Sequence, residues 1–401
     1  MPSITGKEEV LLSLLAHELF QREPQIDAST VDWASVLDEG NRHVVAALLY
    51  PGMRRLKGVP EDALDRARGA AIFAAEASAS MLSSQQAVLA LLQERDIPCA
   101  VLKGTSVACL YPHPELRVPG DIDILVDAEN MKAVRDTLEE NHYALVYKSD
   151  MHTCFQKRNI LVEVHRRVSV FPDNEQGEFT KKFMLDALRH AQTAQGCVVS
   201  FPALTGVYQL ISLLAHMERH LISSGIGLRQ LCDWAVTIHA QREQIGGAEL
   251  ALLDQCGLLH FAKIATRLCE KRLGLPPCGW SADVPDAPMD SLMRDILDGG
   301  NFQSQINQDR FFGDAMTDVY NVEDGTKSSI LRSYGRYIRS RIRQEHPWAK
   351  SSLWILAFGV FYPARWFVRM LMGKRKKVNL SQAVRSAQSR EQFLRELKLY
   401  G

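Results

Sequence analysis

The chain has 401 residues, 46% hydrophobic and 23% charged, with 47 basic and 47 acidic side chains. This composition excludes intrinsic disorder and predicts a soluble globular protein with room for two or three domains and a sizeable core. The zero net charge hides an asymmetry: Leu331 to Gly401 holds 16 Lys/Arg against 3 Asp/Glu, so that segment carries +13 and the rest −13. An anionic partner is expected for the C-terminal end, although basic residues alone do not separate membrane, nucleic acid and an acidic protein surface.

The first residues, MPSITGKEEVLLSLLAHELF, lack a basic stretch followed by an uncharged apolar one, so no secretory signal is expected. Cys99, Cys109, Cys154, Cys197, Cys232, Cys256, Cys269 and Cys278 form no C-x-x-C pair. Their scatter predicts reduced, mostly buried thiols in a cytoplasmic protein, without a zinc site or disulfide framework.

Residues 7–97 read as helical, with apolar spacing in EEVLLSLLAHELF and a long Ala-, Leu-, Glu- and Gln-rich run ending near Asp96. A short apolar run, IPCAVL (97–102), then reads as a strand that ends at a glycine turn, LKGTS (102–106). In RVPGDIDILVD (117–127), Ile122, Ile124 and Val126 alternate with Asp121 and Asp123, which predicts a half-buried strand. A helix over 128–141 and three strands over 143–148, 152–158 and 160–168 complete a mixed α/β unit. Helices are expected again from Pro202, with a turn-rich linker or domain edge at 276–290.

The chemistry concentrates in the α/β unit. Asp121 and Asp123 lie two residues apart and so project from one strand face, where they repel unless positive charge lies between them. Mg²⁺ prefers carboxylate, phosphate and water oxygens, and Mn²⁺ is a close substitute. The bland alternative is two solvated aspartates on an open face. In LVEVHRR, Val162 and Val164 are expected to face the core, leaving Glu163 and His165 on the other face. Glu163 is the natural third carboxylate for a metal site, or else a surface residue in a cross-strand salt bridge. At LKGTS, Gly104 lets backbone N–H groups approach phosphate oxygens, with Thr105 and Ser106 beside it.

This order of a Gly-Thr/Ser turn, a D-x-D strand and a later single acid resembles the DNA-polymerase-beta-like nucleotidyltransferase superfamily. VLKGTSVACLYPHPELRVPGDIDILVD with VEVHRRV is similar to its bacterial family of uncharacterised nucleotidyltransferases, most clearly over residues 85–240. The resemblance implies metal ligation and catalysis by Asp121, Asp123 and Glu163, with Glu163 as third ligand or as base for the acceptor. It also implies nucleotide-phosphate binding by Gly104, Thr105 and Ser106. Lys103 and Arg117 are candidates to neutralise a triphosphate, Arg117 being equally suited to a structural salt bridge. His165 is a possible substrate contact. His216 and His220, and likewise Arg229 and Asp233, stand at i, i+4 on predicted helices; the second pair is expected to form a helix salt bridge.

The stretch LWILAFGVFYPARWFVRML (353–371) is nearly long enough to span a bilayer, but Pro363, Arg365 and Arg369 interrupt it. With GKRKK following, it reads either as a segment lying on the inner face of an anionic membrane or as a core helix.

The expected fold class is α+β: a small mixed β-sheet nucleotidyltransferase core flanked by N-terminal and C-terminal helical regions. The expected division is a helical region 1–84, a core 85–200, a helical domain 201–300 and a basic region 301–401. The expected activity is metal-dependent transfer of NMP from an NTP to a small-molecule, peptide/protein or tRNA acceptor. The alternative is a non-catalytic nucleotide-binding or membrane-associated scaffold.

Overall fold

The computed structural model describes residues 6–300, except 173, 195 and 224, together with 361 and 392–399. These residues fall into two units, 6–219 with 226–300, and 220–225 with 361 and 392–399. The sheet and every residue of the site lie in the first. The 353–371 segment and the basic run after it lie outside the described residues, apart from Phe361. Among the described residues, no helix is long and apolar enough to cross a membrane.

The expected mixed sheet flanked by helices is present. Its strands are β1 (Cys99–Val101), β2 (Ile122–Val126), β3 (Ala144–Lys148), β4 (His152–Lys157), β5 (Ile160–His165), β6 (Gln192–Thr193) and β7 (Pro202–Ala203). They run in the order β3-β4-β5-β2-β1-β7-β6. β2 lies at the centre, antiparallel to β1 and parallel to β5. Central strands flanked on both sides bury both faces, and all five β2 residues are buried.

One sheet face is apolar. Ile122, Ile124, Val126, Val162, Val164 and Phe155 form a cluster with Val88 and Leu92 of the helix Glu61–Gln93 and with Val134 and Leu138 of the helix Met131–Glu140. Alternation then sends Asp123, Glu163 and His165 to the opposite face. The parallel register sets Asp123 directly beside Glu163, and the antiparallel β4–β5 register sets His152 beside His165. Asp123 and Glu163, 40 residues apart in sequence, thus meet because two short strands must bury their valines and isoleucines on the same side.

Three expectations change. Helices do not resume at Pro202: β7 forms there, parallel to β1, and the next helix starts at Gly206. A two-residue strand has no periodicity to detect, and Pro202 stands first in it, where a missing N–H is tolerated. The turn-rich stretch 276–290 ends inside a helix, Asp286–Gly299, which accepts Pro288 in its first turn. Finally, Cys109 and Cys197 are paired in a disulfide with Cα atoms 4.9 Å apart, so not all thiols are free. Gly196, at φ +74°, brings the chain so close to the Cys109 carbonyl that a Cβ there would lie 2.7 Å from its oxygen. The free cysteines follow the expectation of burial, with Cys154, Cys232, Cys256 and Cys269 buried.

At the N-terminal helices the main buried charge is Glu39 on the helix Trp33–Arg42, 4% exposed. Burial pushes its carboxyl up, but hydrogen bonds from His43, Arg42 and Lys7 outweigh this and hold it down at about 2. A depressed carboxylate stabilises the fold above its unfolded value of 4.5, and the contribution fades as pH falls toward 2. Urea midpoints of the wild type should therefore drop between pH 5 and pH 2.5 by more than those of Glu39→Gln, which has already lost the proton-linked part. Parallel pH dependences of the two proteins would remove Glu39 from the acid transition.

Candidate active site

The D-x-D repulsion is solved by a lysine. Lys103, directly after β1, donates from Nζ to Asp123 Oδ2 and lies 3.6 Å from Asp121 Oδ1. The other oxygen of Asp123 faces His165 Nε2 at 3.0 Å, and His165 Nε2 lies 3.3 Å from Glu163 Oε2. Burial disfavours charge on Asp123, yet Lys103 and His165 outweigh it and hold the carboxyl below the usual range. Burial likewise lowers Lys103 and His165, while their carboxylate partners raise both above their ordinary values. Glu163 is pushed up by burial and brought below its ordinary value by the His165 contact. The cluster is an interlocked set of charges, each of which is costly to bury alone.

The two aspartates differ in setting. Asp123 sits inside β2 with 1% of its side chain exposed; Asp121 precedes the strand and is 35% exposed. With Glu163 they offer oxygen atoms within 4.8 Å of one another. Three convergent carboxylates, one of them open to solvent, form a donor set suited to a hard divalent cation. The cationic ammonium between the aspartates shows that this position demands positive charge. The residues fit a metal of that type.

An open cleft adjoins the cluster. Lys103, Gly104, Gly120, Asp121 and Asp123 line one side. Leu213, His216 and Met217 of the helix Gly206–Ser223, and Arg229, Gln230 and Asp233 of the helix Leu228–Gln241, line the other. Gly104 has φ +71°, a conformation that favours glycine, and leads into the four-residue helix Thr105–Ala108.

The remaining expected nucleotide ligands are placed differently. Thr105 donates its hydroxyl to buried Gln85, and Ser106 is buried with its Oγ unpartnered among the described residues; neither lines the cleft. Arg117 lines it, but its guanidinium is engaged by Asp233, through Nε to Oδ1 at 2.7 Å and a second N–H to Oδ2 at 2.8 Å. Tyr111 donates to the same Oδ1 at 2.8 Å. Arg117 is therefore the structural salt bridge, and Asp233 pairs with it instead of with Arg229. Arg229 points its guanidinium to the Val118 carbonyl at 3.2 Å and lines the cleft near Gly120. Burial and the nearby Arg117 lower its affinity for the proton, although an arginine remains charged.

The sequence model of the family described as uncharacterised nucleotidyltransferase matches residues 29–274. The chain belongs to this nucleotidyltransferase family. The match spans both walls of the cleft, including Arg229 and Asp233. No curated protein matches the chain. Membership makes the protein a transferase at a coarse level and implies a nucleotide substrate.

Helix spacing misassigned the partners of Arg229 and Asp233. A signal was available: in LRQLCDWAVTIHA the charges at 229 and 233 stand in a helix whose apolar residues are spread around its circumference. Charges in such a helix are buried, and buried charges need partners from elsewhere in the chain. Removing one member of the Arg117–Asp233 pair should leave the other buried and unpaired. Asp233→Ala is expected to lower the free energy of unfolding by about 3–5 kcal/mol, read from urea denaturation followed by Trp fluorescence. A loss below about 1 kcal/mol, the range of an exposed pair, would show that the bridge does not hold the two walls.

Proposed function

We propose that this protein transfers a nucleoside monophosphate from an NTP to an acceptor and releases pyrophosphate, with Asp121, Asp123 and Glu163 as its catalytic carboxylates. The observation that carries the reading is the β2–β5 register, which sets Asp123 beside Glu163 at the rim of a cation-lined cleft. The order of motifs resembles the polymerase-beta-like superfamily, which supports the same assignment. Gly104, Lys103 and Arg229 bind the triphosphate: Gly104 by close backbone approach, the two cations by charge. Asp121, Asp123 and Glu163 would hold a divalent cation, Mg²⁺ or Mn²⁺, which when bound supplies charge neutralisation at the transferred phosphoryl group. An acceptor oxygen attacks the α-phosphorus, its bond to the pyrophosphate oxygen breaks, and pyrophosphate leaves with the electron pair. His165 Nε2 contacts both Asp123 and Glu163, so its role is to fix these carboxylates, and the proton of the acceptor hydroxyl passes to solvent. The acceptor is a small molecule, a peptide or protein side chain, or tRNA; residues 85–200 form the catalytic core.

The test is incubation with each α-labelled NTP and cell extract, following which component becomes labelled. Asp121→Asn should abolish labelling, by about 10³-fold or more as for the loss of a preorganised electrostatic group. Its thermal melt should remain close to wild type, because Asp121 is partly exposed and the Lys103–Asp123 contact survives. Asp123→Asn should abolish labelling and also destabilise the fold, because Lys103 and His165 lose their shared anion. Full transfer by Asp121→Asn would sink the carboxylate assignment.

The turn makes a separate demand. A Cβ at Gly104 meets only the Asp121 carbonyl at 3.6 Å, so space is adequate and the obstacle is the positive φ. Gly104→Val should lose about 1–2 kcal/mol of stability and bind NTP roughly tenfold more weakly, about 1.4 kcal/mol. Isothermal titration with a non-hydrolysable triphosphate reads the affinity. Wild-type affinity in a folded variant would return the turn to a purely structural role.

A further inference from the structure

A second set of converging donors stands beside the carboxylates. The β4–β5 register places His152 opposite His165, and Glu163 lies two residues before His165 on the same face of β5. His152 Nε2 is 3.6 Å from Glu163 Oε1, and His165 Nε2 is 3.3 Å from Glu163 Oε2. The imidazole centroids are 5.0 Å apart, and one donor atom from each of the three residues lies within 4.8 Å of the others. Zinc bonds of about 2.0–2.1 Å at tetrahedral angles separate neighbouring ligand atoms by about 3.3 Å. Both carboxylate–imidazole separations are close to this before any ion is added.

At Nδ1 the rings have no competing polar anchor, while His165 Nε2 also faces Asp123 Oδ1 at 3.0 Å. Nδ1 of His152 and Nδ1 of His165 are buried without a hydrogen-bond partner among the described residues, so the polar contacts of both imidazoles are made at Nε2. His165 has 5% and His152 11% of its side chain exposed, whereas Glu163 is 25% exposed and leaves a path for an ion. Two imidazoles with one carboxylate form the donor set of open zinc sites and of related divalent transition-metal sites, and are too nitrogen-rich for Mg²⁺.

We propose that His152, Glu163 and His165 form a binding site for a borderline divalent transition-metal ion such as Zn²⁺, separate in donor chemistry from the Asp121–Asp123–Glu163 set and sharing only Glu163 with it. Binding of the ion depends on no step of nucleotidyl transfer.

Full-length protein, stripped with a chelator, is titrated with Co²⁺ as the probe and followed by its visible ligand-field absorption. The expected result is one Co²⁺ per chain with the intense bands of a low-coordinate nitrogen-containing site, erased stoichiometrically by Zn²⁺. His152→Gln should weaken binding at least tenfold, as should Glu163→Gln, while Asp121→Asn should leave the spectrum and the affinity unchanged. His152→Cys should restore tight binding with a new thiolate-to-cobalt charge-transfer band, an outcome that an unfolded or merely loosened sheet cannot give. Absence of the visible bands in wild type overturns the proposal. So does wild-type affinity in His152→Gln, or an equal loss in Asp121→Asn and His152→Gln, which would assign the ion to the aspartates. Because the readout is optical and uses no nucleotide, the outcome stands whether or not the chain transfers NMP.

Discussion

An anion buried as completely as Asp123 can exist only where its charge is balanced on the spot. Lys103 on one oxygen and His165 on the other provide that balance, Lys103 from the turn after β1 and His165 from β5, the two strands that flank β2. The arrangement binds the central strands of the sheet to one another through charge on one face, while Ile122, Ile124, Val162 and Val164 bind β2 to β5 through apolar contact on the other. Replacing either cation by an apolar residue would leave a buried carboxylate that must protonate or draw in water. The sheet order, the β2–β5 register and the ionisation of the cluster therefore stand or fall together.

The second wall of the cleft reaches the first through another buried ion pair. Arg117 lies in the approach to β2 and Asp233 on the helix Leu228–Gln241, 116 residues later, and their bidentate contact is reinforced by Tyr111. Arg229, one turn before Asp233, is thereby held over Gly120, where the chain enters the D-x-D strand. A planar, bidentate pair fixes both distance and angle, which a lysine at 117 could not do. The cationic wall is thus positioned by a residue that is not itself free to meet a ligand.

Much of the sheet was legible in the sequence because apolar and polar residues alternate over 121–124 and 162–165. Alternation alone assigned Val162 and Val164 to the core and Glu163 and His165 to the other face, and the demand for positive charge between Asp121 and Asp123 followed from their spacing. What alternation could not reveal was the source of that charge. Lys103 follows β1 and meets the aspartates only because β1 is antiparallel to β2, a pairing that no local pattern encodes. The same limit explains Asp233: i, i+4 geometry offered Arg229 as a partner, but helix spacing describes proximity on a surface, and this helix is buried. Long-range partners decide buried charges. Thr105 shows the converse, since its place in the turn suggested a phosphate contact while Gln85, on a distant helix, takes its hydroxyl.

The two aspartates of one motif consequently have unequal freedom. Asp123 is locked by two hydrogen-bonded cations inside the strand, whereas Asp121 stands outside it, a third exposed and 3.6 Å from the lysine that Asp123 holds more closely. A ligand that brings positive charge to the cluster meets Asp121 first and competes there with the weaker of the two Lys103 contacts. On the function proposed above, Lys103 released from Asp121 keeps Asp123 and turns its remaining donors toward the phosphate. A lysine that neutralises the carboxylates before a ligand arrives, and faces the ligand's own anion afterwards, keeps the buried charge balanced in both states.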